Sequence, residues 1–299
     1  MKRYGVVETG GTKMVCAIVS GPDQVSDEVR FPTTTPAENI PQIIEFLQRH
    51  HQEHPLAAVG IGSFGPIVLD RTRSDYGSVA PTTKPDWSNA PVVAPIQAAL
   101  QIPVGFDLDV TTAGLGELMW GAGQGLEHIV YYTIGTGIGA GVITRGAPIA
   151  CLAHPEAGHQ VVSRHPSDTF AGNCSFHATC LEGMAAGPAI EKRWGKKAAE
   201  LPPEHEAWDL EADYVAQAVV NTILFVSPQR IILGGGVMEQ LHLFPKIRAL
   251  TLQKLNGYIN VDAITQHIDR YIVPPALGNR AGMLGALVLA MRAETEHAS

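Results

Sequence analysis

Apolar residues fall into short runs closed by glycine or proline, alternating with stretches where they recur every third or fourth position. Runs at 4–7 and 14–20 flank Thr9-Gly10-Gly11-Thr12 and predict a β-hairpin. Over 37–50, Ile40, Ile43, Ile44 and Leu47 keep helical spacing behind Pro36, a residue suited to a first helical turn. The glycine-bounded run 57–61 predicts a buried strand. The Pro- and Thr-rich stretch 66–85 has no period and predicts a long functional loop. A helix over 91–100, a strand over 103–106 and a helix over 110–120 follow.

A second strand pair is predicted at 128–134 and 140–144, joined by Gly135-Thr136-Gly137-Ile138-Gly139. Gly10 and Gly135 stand 125 residues apart at the same place in a strand–turn–strand plan, which suggests a duplicated lobe. Residues 151–180 are irregular and rich in His, Cys and Gly. Helices are expected at 181–194, 210–226 and 244–254, and strands at 230–233 and 271–273. The strand at 230–233 runs into Gly234-Gly235-Gly236. The apolar stretch 279–292 predicts a largely buried closing helix.

At 299 residues the chain suits two lobes, and its apolar content with plentiful Gly and Pro reads as an α/β protein with many turns. With a net charge of −8, nothing advertises a general affinity for nucleic acid or anionic membrane. Bound phosphate would therefore be held by backbone amides, a metal ion or a few individual cations. Four cysteines are too few for a disulfide scaffold. The short apolar stretch after Lys2 and Arg3 runs at once into Glu8, and no run is long enough to span a membrane. A cytoplasmic protein is expected.

Three glycine turns carry the first chemical signal. A phosphate needs close approach to backbone N–H groups, and a Cβ obstructs it. Gly10-Gly11-Thr12-Lys13, Gly135-Thr136-Gly137-Ile138-Gly139 and Gly234-Gly235-Gly236 each follow an apolar strand. None fits the P-loop pattern, and no G-x-G-x-x-G opens a helix after the first strand, so neither a P-loop nor a Rossmann enzyme is indicated.

Together with Gly62-Ser63-Phe64-Gly65-Pro66, the sequence Glu8-Thr9-Gly10-Gly11-Thr12-Lys13 and the two later glycine segments resemble the ROK family of sugar kinases and repressors, its bacterial fructokinase branch above all. The resemblance implies an actin-like (ribonuclease H-like), two-lobed α/β ATPase fold with a small zinc-binding loop and ATP in the cleft between lobes. One lobe would span 1–111, joined by the closing helix at about 286–299. The other would span 112–285, with the zinc loop at 154–182.

The family pattern of Asp, one residue, Asn, small residues and Glu falls on Asp109 through Glu117, which makes Asp109 the expected catalytic base. Thr111 stands where the family usually has Asn. An Asp just ahead of a helix is also an ordinary N-cap. Glu8 corresponds to a carboxylate near the magnesium ion and its waters. Cys174-x2-His177-x2-Cys180, with His159 upstream, suits a tetrahedral structural Zn2+; His154 and His165 are competing ligands by spacing. The resemblance places Glu156, His159 and Glu182 on sugar hydroxyls. It places Gly10, Gly11, Thr12, Lys13, Thr136, Gly137, Pro188, Gly235, Gly236, Gly278 and Asn279 around the nucleotide.

The reading that results is an ATP- and Mg2+-dependent hexose kinase, fructose being the expected sugar, with a homodimer implied by the resemblance. A glucokinase or mannokinase is the nearest rival. The family's repressors carry a DNA-binding segment ahead of the first strand; with that strand expected near Tyr4, a sugar-sensing regulator is disfavoured.

Overall fold

The N-terminal hairpin is present: β1 (Tyr4–Thr9) and β2 (Lys13–Gly21) pair antiparallel around the glycine turn in the computed structural model of the chain, which describes residues 1–298. Strand β3 (Gln24–Pro32) extends the hairpin antiparallel, and β4 (Val59–Ser63) and β5 (Val104–Leu108) add in parallel on the other side, giving the order β3-β2-β1-β4-β5. Strand β3 is an addition to the predicted elements. Its residues are mostly polar and at least partly exposed, as an edge strand allows, so it carries little apolar pattern to read.

Helices α1 (Pro36–Glu53), α2 (Val93–Leu100) and α3 (Asp109–Trp120) belong to this first unit, which comprises residues 1–125, 147–154 and 277 onward. The 66–85 stretch is irregular, tied by isolated bridges from Ile67 to Val79 and from Ser78 to Pro91. A two-residue strand, β8 (Ala147–Pro148), also lies in the first unit.

The second unit comprises residues 126–146 and 155–276. Strands β6 (Ile129–Ile134) and β7 (Ile138–Thr144) form its antiparallel hairpin; β9 (Arg230–Gly234) and β10 (Ile272–Val273) continue in parallel. The run β7-β6-β9-β10 repeats the connectivity of β2-β1-β4-β5, so the two units share one plan. The single helix predicted over 181–194 is two, α4 (Leu181–Ala185) and α5 (Gly187–Trp194), because Ala186 is extended ahead of Gly187-Pro188, where proline removes an amide donor. Helices α6 (Ala207–Phe225) and α7 (Leu243–Leu255) and the single-turn α8 (Asp262–Thr265) and α9 (Ile268–Tyr271) complete this unit. Trp208, Tyr214, Ile223, Ile231 and Leu233 lie at its core.

The closing helix α10 (Ala281–Ala298) returns to the first unit and packs on β1, β4, β5 and α3. The approach is backbone to backbone. A Cβ at Gly60 would lie 1.8 Å from the carbonyl oxygen of Ala286, and one at Gly285 would lie 1.6 Å from that of Thr112. Backbone cannot yield to such a contact as a flexible side chain does, so overpacking applies in full. Gly285→Ala is expected to lower unfolding free energy by about 1–3 kcal/mol or more, read as a lower urea midpoint.

Candidate functional site

In the first unit, the parallel strands deliver their carboxylates to one end of the sheet. Register pairs Glu8 with Gly62 and Gly62 with Asp107, so the two acids stand in one row with Asp109 just beyond at the start of α3. The row lies under α3 and α10: a Cβ at Gly62 would meet Thr112, and one at Gly282 would come within 2.6 Å of the Glu8 carboxylate. Asp109 Oδ1 accepts the Val110 N–H at 2.7 Å, and Asp107 Oδ1 accepts the Leu108 N–H at 2.7 Å.

These acids titrate well above the usual carboxylate range. Desolvation lifts Glu8 to about 7, partly countered by Lys13 and reinforced by the negative charge of Asp109. Asp109 remains exposed by surface area, yet enough protein surrounds it that desolvation lifts it to about 6 against the Val110 N–H. Asp107 is buried and raised to about 6, countered by the Leu108 N–H, the Thr111 side chain and the charge of Arg292. Thr111 thus engages a buried neighbour in its own unit.

The turn Gly10–Lys13 is closed by the Gly10 N–H donating to Lys13 O at 3.0 Å, while the Thr33 hydroxyl donates to Gly10 O at 2.7 Å. A Cβ at Gly10 would sit 2.6 Å from Lys13 O; Gly11 has open space, and Thr12 and Lys13 are exposed. Three residues here make contacts that the sequence did not predict. The Lys84 ammonium, brought by the long loop, donates to Gly11 O and lies 5.6 Å from the Phe64 ring centroid. Buried His154 accepts the Ile67 N–H at Nε2, 3.0 Å away, and so anchors that loop. Buried Glu117 accepts the Ala122 N–H at 2.7 Å and the Leu277 N–H at 2.8 Å, fixing the approach to exposed Gly278 and Asn279. His154 was expected only as a competing metal ligand, and Glu117 only as the end of the Asp109 pattern.

In the second unit the other two glycine segments meet. Gly135 O accepts the Gly187 N–H at 2.7 Å, at the start of the helix that carries half-buried Pro188. Gly235 has φ +90°, and a Cβ there would lie 2.5 Å from the Ile134 backbone, so glycine is required twice over. A Cβ at Gly135 would lie 3.5 Å from the Gly236 nitrogen. Thr136 is exposed at the tip of its turn, beside Gly137. Glu182 does not stand apart in a loop: its Oε2 accepts the Ile138 N–H at 2.9 Å. Glu156 is exposed, and its carbonyl accepts the His159 N–H at 2.9 Å.

His159, Cys174, His177 and Cys180 converge, their ligand atoms all within 4.8 Å of one another. Cys174 Sγ lies 3.7 Å from His159 Nδ1 and 3.9 Å from His177 Nδ1, and Cys180 Sγ lies 3.6 Å from His159 Nδ1. Metal–sulfur and metal–nitrogen bonds of about 2.3 and 2.0–2.1 Å at a tetrahedral angle require a sulfur–nitrogen separation of about 3.5–3.6 Å. Two thiols and two imidazoles at these spacings fit a tetrahedral ion. Of the competing ligands, His154 belongs to the first unit, and His165 pairs with the Ser167 hydroxyl at 2.8 Å.

Fold and site together define a two-unit α/β protein of the sugar-kinase type, with paired phosphate-type turns and a Cys/His metal group. A sequence profile described as the ROK family matches residues 4–293, and the chain belongs to that family. It is 42% identical to the fructokinase of Pediococcus pentosaceus over 97% of this chain and 98% of that one. It is 41% identical to the fructokinase of Zymomonas mobilis over 99% and 98%. Among solved structures, the ROK hexokinase of Thermus thermophilus superposes with a TM-score of 0.79 at 23% identity, covering 98% of this chain and 99% of that one, and this shows the actin-like fold. Among the described residues, no helix is long and apolar enough to cross a membrane.

Glu8, Asp107, Asp109 and wholly buried Glu211 are all raised by desolvation. Between about pH 4 and 7 the folded chain therefore holds protons that the unfolded chain has released, so these groups make stability fall as pH rises through that window. The urea midpoint is expected to be higher near pH 5 than near pH 8. Glu8→Gln should raise it at pH 8 by on the order of 1 kcal/mol of stability.

Proposed function

We propose that the chain is an ATP:hexose phosphotransferase that converts D-fructose to fructose 6-phosphate, with Asp109 as general base. The observation that carries this reading is a water-reachable carboxylate raised to about 6, at the head of a helix in a chain more than 40% identical to fructokinases over nearly its whole length. At neutral pH a base of this strength is ionised and ready to accept a proton.

In the reaction, Asp109 takes the proton of the C6 hydroxyl. The hydroxyl oxygen bonds to the γ-phosphorus, the bond from that phosphorus to the β–γ bridging oxygen breaks, and ADP leaves. Phosphoryl transfer depends mainly on positioning and charge. The amides of the turns at Gly10–Lys13 and Gly135–Gly139 hold phosphate oxygens, assisted by Thr12, Lys13 and Thr136; Gly235, Gly236, Pro188, Gly278 and Asn279 flank the nucleoside. Glu156, His159 and Glu182 face the sugar. Magnesium would be held near Glu8, where it would supply positive charge against the triphosphate. His159, Cys174, His177 and Cys180 would hold zinc, which would cross-link and so order the 151–180 stretch. A cytoplasmic homodimer completes the reading, supported by the resemblance to the family.

A coupled ADP-release assay with fructose, glucose and mannose tests it. Turnover should depend on sugar and be highest with fructose, and Asp109→Asn should lower it by about 10²–10⁴-fold. Its kcat/KM should fall as pH drops below about 6, where Asp109 protonates. ADP release indifferent to sugar, or unimpaired in Asp109→Asn, would overturn the assignment. Metal analysis should find one zinc ion per chain, lost in Cys174→Ser, with faster proteolysis between residues 151 and 180.

A further inference from the structure

The turn Gly135–Gly139 contains three glycines in five residues, so left to itself it samples many backbone conformations. Amides that receive a phosphate must already point the right way. Three neighbours in the second unit hold this turn. The Gly187 N–H donates to Gly135 O at 2.7 Å. The helical turn Ala157–His159 lies on the Ile138 carbonyl so closely that a Cβ at Gly158 would come within 1.9 Å of its oxygen. Glu182 Oε2 accepts the Ile138 N–H at 2.9 Å, and a Cβ at Gly137 would lie 2.9 Å from that same oxygen.

Two of these three holds come from neighbours in sequence of the Cys/His group. Gly158 precedes His159, and Glu182 stands two residues after Cys180. The two segments are joined: Leu181 N–H donates to Gln160 O at 3.0 Å, and Val161 bridges Cys180. The carboxylate also occupies an amide that faces it, leaving the amides around Thr136 and Gly137 for another acceptor. A side chain at 137 would crowd that carboxylate oxygen, which lies at the end of a flexible side chain.

We propose that Glu182 is a positioning residue for the phosphate-holding turn, and that the segment carrying His159 and Cys180 thereby sets the shape of the nucleotide side of the site. What the turn holds rests on the phosphotransferase reading; the strut from Glu182 to Ile138 does not. Glu182 is also proposed to face the sugar, so sugar affinity is titrated alongside.

Amide hydrogen exchange over 135–139 is measured on the full-length protein without ligands, and affinity for a non-hydrolysable ATP analogue is measured by direct titration. In Glu182→Ala, exchange should accelerate about tenfold or more, and analogue affinity should fall about tenfold, the scale of one hydrogen bond to a charged group. Glu182→Gln keeps a carbonyl acceptor of the same length and should restore both to within about threefold of the parent. Exchange in the first unit should stay unchanged, which separates the effect from global unfolding. Unchanged exchange over 135–139 in Glu182→Ala, or a loss confined to sugar affinity, would overturn the proposal. If exchange and analogue affinity respond as expected while the parent phosphorylates no sugar, the strut stands and the phosphotransferase reading falls.

Discussion

The approach of α10 to the first sheet without intervening side chains governs everything at the acidic end of that unit. Gly60, Gly105, Gly116 and Gly285 each stand where a Cβ would lie within 2.4 Å of a backbone carbonyl oxygen. Helix α10 therefore rests directly on β4 and β5 and on helix α3. That seating fixes the start of α3, and with it Asp109. It also buries the row of acids beneath the helices, so desolvation, rather than any single partner, dominates their titration. Close packing and raised carboxylates are thus linked through the same four glycines.

The electrostatic design is local. A chain of net charge −8 offers no overall attraction to a triphosphate, and its raised acids would be a poor setting for one unless protonated or facing cations. The first unit answers with an open turn whose nearby cations come from two directions, Lys13 on β2 and Lys84 on the long loop. The second unit answers with a turn fixed by Glu182, whose carboxylate is itself satisfied by a backbone donor. Each arrangement relies on oriented amides, which cost no charge elsewhere in the protein.

Much of the fold was legible because its strands are buried, apolar and bounded by glycine, and because α1 keeps a clean helical period behind Pro36. Strand β3 was not, since an edge strand with polar faces leaves no such trace. The break at Ala186 was hidden inside an apolar stretch, although Pro188 was its signal. In the metal group, Cys174, His177 and Cys180 are neighbours in sequence and could be read from spacing. The choice of His159 over His154 depends on the Val161–Cys180 bridge, a long-range contact that spacing does not encode. The partners of Glu182, Lys84 and Glu117 are backbone atoms, and a backbone acceptor or donor has no residue type for a sequence pattern to record.

The proposed reaction transfers a phosphoryl group to one hydroxyl of a hexose. Phosphorus NMR of the purified protein with ATP, magnesium and fructose observes that transfer directly. Loss of the γ-phosphate signal should be matched by one new phosphomonoester, coupled to the C6 protons of fructose, with ADP formed in equal amount. Inorganic phosphate appearing in place of the ester, or an ester on a different carbon, would contradict it.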